Sequence, residues 1–149
     1  MKLREIFWIW KKPHFKKKMN QGFGLKKNDI EIENLKINNS LLHSHTYDII
    51  RKMKTPQYNS GWVMRNKKGF NTVFFNINYD IVMCDSFGNI INLFPNTKTG
   101  YVSKHYPNSY FIYFFVVGTI KDLNIEKGER LTLKRQFVNF TIFQDAVGI

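Results

Sequence analysis

The chain has 149 residues and a formal net charge of +12. One domain of that length buries roughly 70% of its unfolded surface, enough for a core without a metal or disulfide staple. The lone cysteine, Cys84, excludes an internal disulfide framework and any multi-cysteine zinc or iron–sulfur site.

Eighteen of the 23 basic residues are lysine, and Lys, Asn and Ile together make up 50 of the 149 positions, beside a single alanine, Ala146. That bias marks AT-rich coding. The charge therefore has two readings, a codon-driven solvated surface or a surface for an acidic partner. Compact lysine charges with few arginine forks suit phosphate attraction better than base readout.

Residues 1–29 read as a basic, aromatic N-terminal extension ahead of a single domain over 30–149. Lys11, Lys12, Lys16, Lys17 and Lys18 lie beside Phe7, Trp8, Trp10 and Phe15. Leu3, Ile6, Phe7 and Trp10 have helical spacing that Pro13 stops. The apolar run Ile6–Trp10 is too short for a secretory signal. A cytoplasmic protein is expected, with peripheral membrane association or organelle import left open. Two roles remain for the extension. Its rings pack back on the domain, or Trp8 and Trp10 anchor while the lysines meet phosphates of nucleic acid or lipid. On the anchor reading, a chain beginning at Lys27 folds but loses salt-sensitive association.

The next elements follow in chain order. Residues 30–37 alternate as a strand with a slip near Asn34. Ser44 or Thr46 is placed to cap a helix that buries Ile49, Ile50 and Met53 and ends before Pro56. Strands are expected at about 61–65, 70–76, 79–85, 89–94, 109–117 and 130–143. Asp85-Ser86-Phe87-Gly88 and Glu126-Lys127-Gly128-Glu129 read as turns, with glycine free to take positive φ. A short helix fits near Ile120–Leu123. Leu131 and Leu133 differ in parity from Val138, Phe140 and Ile142, so the last run must bend between Lys134 and Phe137. The run Ser109–Ile120 is too short to span roughly 30 Å of hydrocarbon as a helix, and no transmembrane segment is expected.

The fold class is mainly β (α+β): a small antiparallel β barrel or sandwich with one or two short helices. The expected core comprises Ile50, Val73, Phe75, Val82, Ile90, Ile112, Phe114, Val116, Leu123 and Leu131.

The stretch Phe70–Asp85, FNTVFFNINYDIVMCD, resembles the signature of the domain of unknown function 192 family. Thr72, Phe74, Asp80, Val82 and Asp85 fall in register with it, and Gly88-Asn89-Ile90 matches its glycine turn. Ile112–Thr119 and Leu123–Leu131 resemble its closing elements. The likeness covers about residues 35–133. Asn71 stands where the family has histidine, Phe75 where it has methionine, and Phe114 where it has glutamate. The resemblance implies a small β-rich domain without an established activity, and a pocket at Asp80, Thr72 and Asn71 that lacks most of the family's polar groups.

Chemistry is sparse. Asp80 and Asp85, five apart in one strand region, point to opposite faces and cannot form a carboxylate pair. Asp80 either lines a pocket or accepts backbone N–H groups. His43 and His45 could share a metal only from an extended strand, with no third ligand in view, so no metal site is assigned. Cys84 reads as a buried structural thiol. No glycine-rich phosphate loop, zinc-protease or nucleophile-elbow motif occurs. No cofactor and no catalytic residue is assigned. The leading expectation is a non-enzymatic accessory domain of the family-192 type that binds a protein partner or larger complex. The alternatives are a nucleic-acid or ribosome-associated basic protein that uses the N-terminal segment and lysine-rich loops such as Arg65-Asn66-Lys67-Lys68, and a small-ligand or hydrolytic pocket near Asp80.

Overall fold

The computed structural model describes residues 20–40 and 43–135. They form a mainly β domain, a seven-stranded mixed sheet with two short helices. Strands β1 (Asn20–Lys27) and β2 (Ile30–Ser40) make a hairpin. Its two-residue turn places Asn28 and Asp29 at φ of 52° and 66°. Asn and Asp tolerate this left-handed region, so the pair serves the turn that others build with Asn-Gly.

The slip expected near Asn34 is present. Phe23 pairs with Ile37 but Leu25 with Ile32, so four residues of β2 face Gly24 alone, and Asn34 has φ of 59°. The bulge reverses parity, which lets both Ile32 and Ile37 pack on one core.

Helix α1 (His43–Lys52) carries the chain from β2 to β3 (Ser60–Arg65), which lies parallel to β2. A parallel pair cannot be joined by a tight turn, so the helix is its crossover. The helix has begun by His43, so Ser44 and Thr46 lie inside it and do not cap it. Ile50 is buried, with Ile49 and Met53 packed beside it as expected.

The remaining elements are β4 (Tyr79–Cys84), β5 (Ile90–Thr97), β6 (Phe111–Phe115), helix α2 (Thr119–Asp122) and β7 (Leu131–Arg135). The sheet order is β5-β4-β6-β3-β2-β1-β7, antiparallel except for β2 with β3. The expected barrel or sandwich is corrected to one open, curled sheet. Its edge strands meet at one end, where the Ile90 N–H donates to Glu129 O at 2.8 Å and the Leu131 N–H to Gly88 O at 2.9 Å. Beyond the bridge between Asn89 and Arg130 the described edges make no further pairing.

A core lies on each face. The curl encloses Leu25, Ile37, Val82, Ile90, Phe115 and Leu131, with Ile120 and Leu123 from the α2 region against them. The other core includes Ile50, Trp62, Phe70, Phe75, Tyr79 and Phe114 under α1 and the long loops. Seven of the expected core residues are buried. Val73, Val116 and Leu123 are only half-buried, because Val73 lies in a turn of the β3–β4 loop and the other two follow the ends of β6 and α2. Every residue of β4 is buried, as a strand covered on both faces requires.

Three expectations change. The sheet begins by Asn20, inside the segment assigned to the extension, because β1 pairs with β2 on one side and β7 on the other. Residues 70–76 are not a strand: a turn closes where Phe75 N–H donates to Thr72 O at 3.1 Å, with Phe74 at φ of 66°. The last strand covers Leu131–Arg135, and the expected bend toward Phe137 lies outside the described residues.

Candidate functional site

Asp80 shares parity with Val82 and Cys84 and faces the enclosed core. It is only 2% exposed. One carboxylate oxygen accepts the Asn96 N–H at 2.8 Å, and the other accepts the N–H groups of Gly118 and Ile120, each at 3.0 Å. Three backbone donors engage the group, which ties β4 to the end of β5 and the start of α2. This is the local economy of a buried aspartate that holds loops in place.

Thr72 and Asn71 lie together on the other side of the sheet, among Phe70, Phe75 and α1. Thr72 Oγ1 donates to Lys98 O at 2.7 Å and accepts the Tyr101 N–H at 3.0 Å. Asn71 Oδ1 accepts the Tyr47 hydroxyl at 2.9 Å and the Val73 N–H at 3.2 Å. The fold thus joins Thr72 and Asn71 but sends Asp80 elsewhere, and no hydrogen bond links Asp80 to either.

Asp85 is equally engaged: its Oδ1 accepts the N–H groups of Phe87 and Asn89, each at 2.9 Å, and shapes the β4–β5 turn. Gly88 takes φ of 91° there. Burial pushes the Cys84 thiol far up, and the neighbouring Asp85 charge adds to the effect, so no nucleophilic thiolate is available. His43 and His45 belong to a helix, not to the extended strand that a shared metal needs. Among the described residues no cluster of three His, Cys, Asp or Glu could hold a metal. A shallow, open groove of about 510 Å³ runs beside the β2 bulge, lined by Glu31, Ile32, Asn34, Leu35, Lys36 and Asn59. Its one carboxylate, Glu31, is paired to Lys134.

The expected anchor residues Trp8, Trp10, Lys11, Lys12, Lys16, Lys17 and Lys18 lie outside the described residues. Lys27, inside the segment 1–29 assigned to the extension, is tied to the domain. Its ammonium donates to Leu123 O at 2.8 Å and Asn124 O at 3.1 Å.

A different surface stands out. The loops between β3 and β4 and between β5 and β6 run against each other as an irregular ribbon. Tyr106 N–H donates to Lys68 O at 2.7 Å, Ser103 N–H to Phe70 O at 2.9 Å and Thr72 N–H to Tyr101 O at 2.8 Å. At its tip Phe74 is 82% exposed. Phe74 occupies the third position of its turn, where positive φ ordinarily selects glycine. A phenylalanine there is strained and solvated at once.

Tyr101 follows on the partner loop, 39% exposed, with its ring backed by Phe70 at 5.8 Å and Phe94 at 6.2 Å. Val102 beside it is largely exposed. No acidic residue occurs between Asp48 and Asp80 or between Asp85 and Asp122, so the ribbon contains none. Asp48 itself is held below the usual carboxylate range by Arg51 and Lys52. Lys67, Lys98 and Lys104 of the ribbon have no ion pair among the described residues. Sequence reasoning singled out the basic loop that contains Lys67 but missed the aromatic part of this face, because it assigned Phe74 to a strand. The available signal was the turn-forming Asn71-Thr72 pair inside an otherwise apolar run.

No family model and no curated protein matches the chain. Two solved structures share the fold. A candidate transcription regulator from Sinorhizobium meliloti 1021 superposes with a TM-score of 0.62 at 12% identity, over 76% of this chain and 95% of that one. A protein of unknown function from Novosphingobium aromaticivorans DSM 12444 gives 0.60 at 9% identity, over 74% and 83%. At these identities the likeness is one of fold. Among the described residues no helix is long and apolar enough to cross a membrane.

Proposed function

We propose that this protein is a non-enzymatic interaction domain that docks a macromolecular partner through the ribbon carrying Phe74 and Tyr101. One observation carries the reading: Phe74 is held in the left-handed region with its ring in solvent. Strain of this kind costs on the order of 1–3 kcal/mol and concentrates where a protein meets a ligand. The engagement of Asp80, Thr72 and Asn71 by backbone groups supports the same reading over a hydrolytic pocket. The likeness of Phe70–Asp85 to the domain of unknown function 192 signature supports an accessory role, as does a fold neighbour that is a candidate transcription regulator.

Affinity capture from native lysate tests the reading, with wild type and Phe74→Asn compared with and without nuclease. Asparagine accepts the left-handed backbone, so the variant keeps the turn and loses only the ring. Wild type retains a partner that Phe74→Asn releases at an unfolding midpoint no lower than that of wild type. Identical capture by the two proteins removes the ribbon from the interaction.

A further inference from the structure

Resting on that docking face, we infer that its partner is a single-stranded nucleic acid, with bases stacking on Phe74 and Tyr101 and phosphates meeting Lys67, Lys98 and Lys104. The inference combines two requirements of single-strand binding, an aromatic platform and a cationic track without sequence-reading forks.

The platform is prepared before any ligand arrives. The Tyr101 ring packs at tilted angles of 36° and 50° against Phe70 and Phe94, and the residue stays 39% exposed. Phe74 is positioned by its backbone: the Asn71 side chain accepts the Val73 N–H at 3.2 Å, and the Thr72 carbonyl accepts the Phe75 N–H at 3.1 Å. Because the Thr72 hydroxyl also ties the turn to Lys98 and Tyr101, the two rings belong to one hydrogen-bonded unit. The backbone that carries both rings is therefore ordered before binding, and only side-chain ordering remains to be lost.

The track is cationic by exclusion as well as by content. Lys98 and Lys104 are exposed and Lys67 half-exposed, and no carboxylate in either loop competes with phosphate. Lysine supplies compact charges that attract a flexible backbone without fixing base identity. An acidic peptide would satisfy the lysines but has no use for two solvated rings. A bilayer would call for a contiguous apolar wedge, whereas Lys98 and Lys104 flank Tyr101 and Val102 in the same loop.

Fluorescence anisotropy of the full chain with labelled oligothymidylate and oligouridylate of about twelve nucleotides tests the inference, since comparable sites hold roughly 4–16 nucleotides. Wild type binds, and affinity falls with salt at about 0.7 log units per log unit of salt for each phosphate neutralised. Phe74→Asn and Tyr101→Ala each weaken binding about five- to a hundredfold, the loss of one stacked base. Lys98→Glu with Lys104→Glu flattens the salt slope by at least about 1.4. A full chain with Lys11, Lys12, Lys16, Lys17 and Lys18 changed to alanine keeps the Phe74 dependence.

Binding that is indifferent to Phe74 and Tyr101, or that is carried wholly by those five N-terminal lysines, overturns the inference. So does Phe74-dependent binding to anionic vesicles or polyglutamate without oligonucleotide binding. If oligonucleotides fail while Phe74→Asn still releases a nuclease-resistant protein in lysate capture, this inference falls and the docking face stands. If Phe74→Asn changes neither assay, both fall.

Discussion

Asp80 reaches across the fold to Gly118, accepting its backbone N–H at 3.0 Å over a separation of 38 residues. The same oxygen takes Ile120 N–H, so a strand one place in from the edge of the sheet orients the first turn of α2. Gly118 can meet the carboxylate because it holds φ of 101°, a conformation that most side chains resist.

Asp80→Asn therefore acts on stability before anything else. The amide nitrogen would oppose backbone donors on one side, and the buried N–H groups would lose a charged acceptor. The expected loss is about 1.5–3 kcal/mol in urea-induced unfolding, read as a lower midpoint at constant m-value. An unchanged midpoint would show that the three bonds contribute little.

Gly88→Ala tests the contact between the sheet edges. A β-carbon at Gly88 would sit 2.4 Å from Leu131 O, and its φ of 91° is strained for alanine. Both effects point the same way, for a loss of about 2 kcal/mol or more. Amide exchange at Ile90 and Leu131, which donate across the bridge, should accelerate most.

Removing residues before Lys27 is expected to abolish cooperative unfolding. That truncation deletes β1, leaving β2 and β7 without the strand between them and the enclosed core without Leu25. A boundary at residue 29 would cut the β1–β2 hairpin and remove the strand that links β2 to β7. Far-ultraviolet circular dichroism and urea titration decide the matter, and a retained sharp transition would show that β1 is dispensable.

Glu129 supplies a pH-dependent clip. Burial alone would raise its pKa, but the Glu126 N–H at 2.7 Å, the Asn28 amide at 2.8 Å and Lys27 at 3.6 Å outweigh it and hold the carboxyl below its usual range. A depressed carboxylate stabilises above its unfolded pKa of about 4.3 and ceases to do so as pH falls through the folded value. Wild type should exceed Glu129→Gln by no more than about 1 kcal/mol near neutrality, the range of ion pairs at the surface, each side chain here keeping about a fifth of its surface exposed. The two melting curves should begin to approach each other below the unfolded pKa of about 4.3 and converge once pH has passed below the folded value. A difference that persists at low pH would assign the effect to neutral hydrogen bonding.

Local chemistry was legible in the sequence wherever neighbours along the chain decide the outcome. Asp85 to Gly88 forms its turn because an aspartate can accept nearby N–H groups and glycine can take positive φ. Asn34 marks the slip in β2, Pro56 follows the end of α1, and alternation places Val82, Ile112, Phe114 and Leu131 inside. These are short-range properties of backbone and side chain. The tertiary structure alone decided the rest. β1 joined the sheet although its lysines resemble a tail, because Phe23 and Leu25 pack on the enclosed core while Lys26 and Lys27 pair with β2 on one side and β7 on the other. The crossover α1 made one pair parallel, and the curl brought β5 to β7 without closing a barrel. Whether Asp80 was a site or a clasp depended on Gly118 and Ile120, far along the chain. Phe74 is apolar like Phe75, and hydrophobic character cannot tell which of two adjacent rings a turn will leave in water. That choice belongs to the hydrogen bonds of Asn71 and Thr72 with residues that only folding brings near.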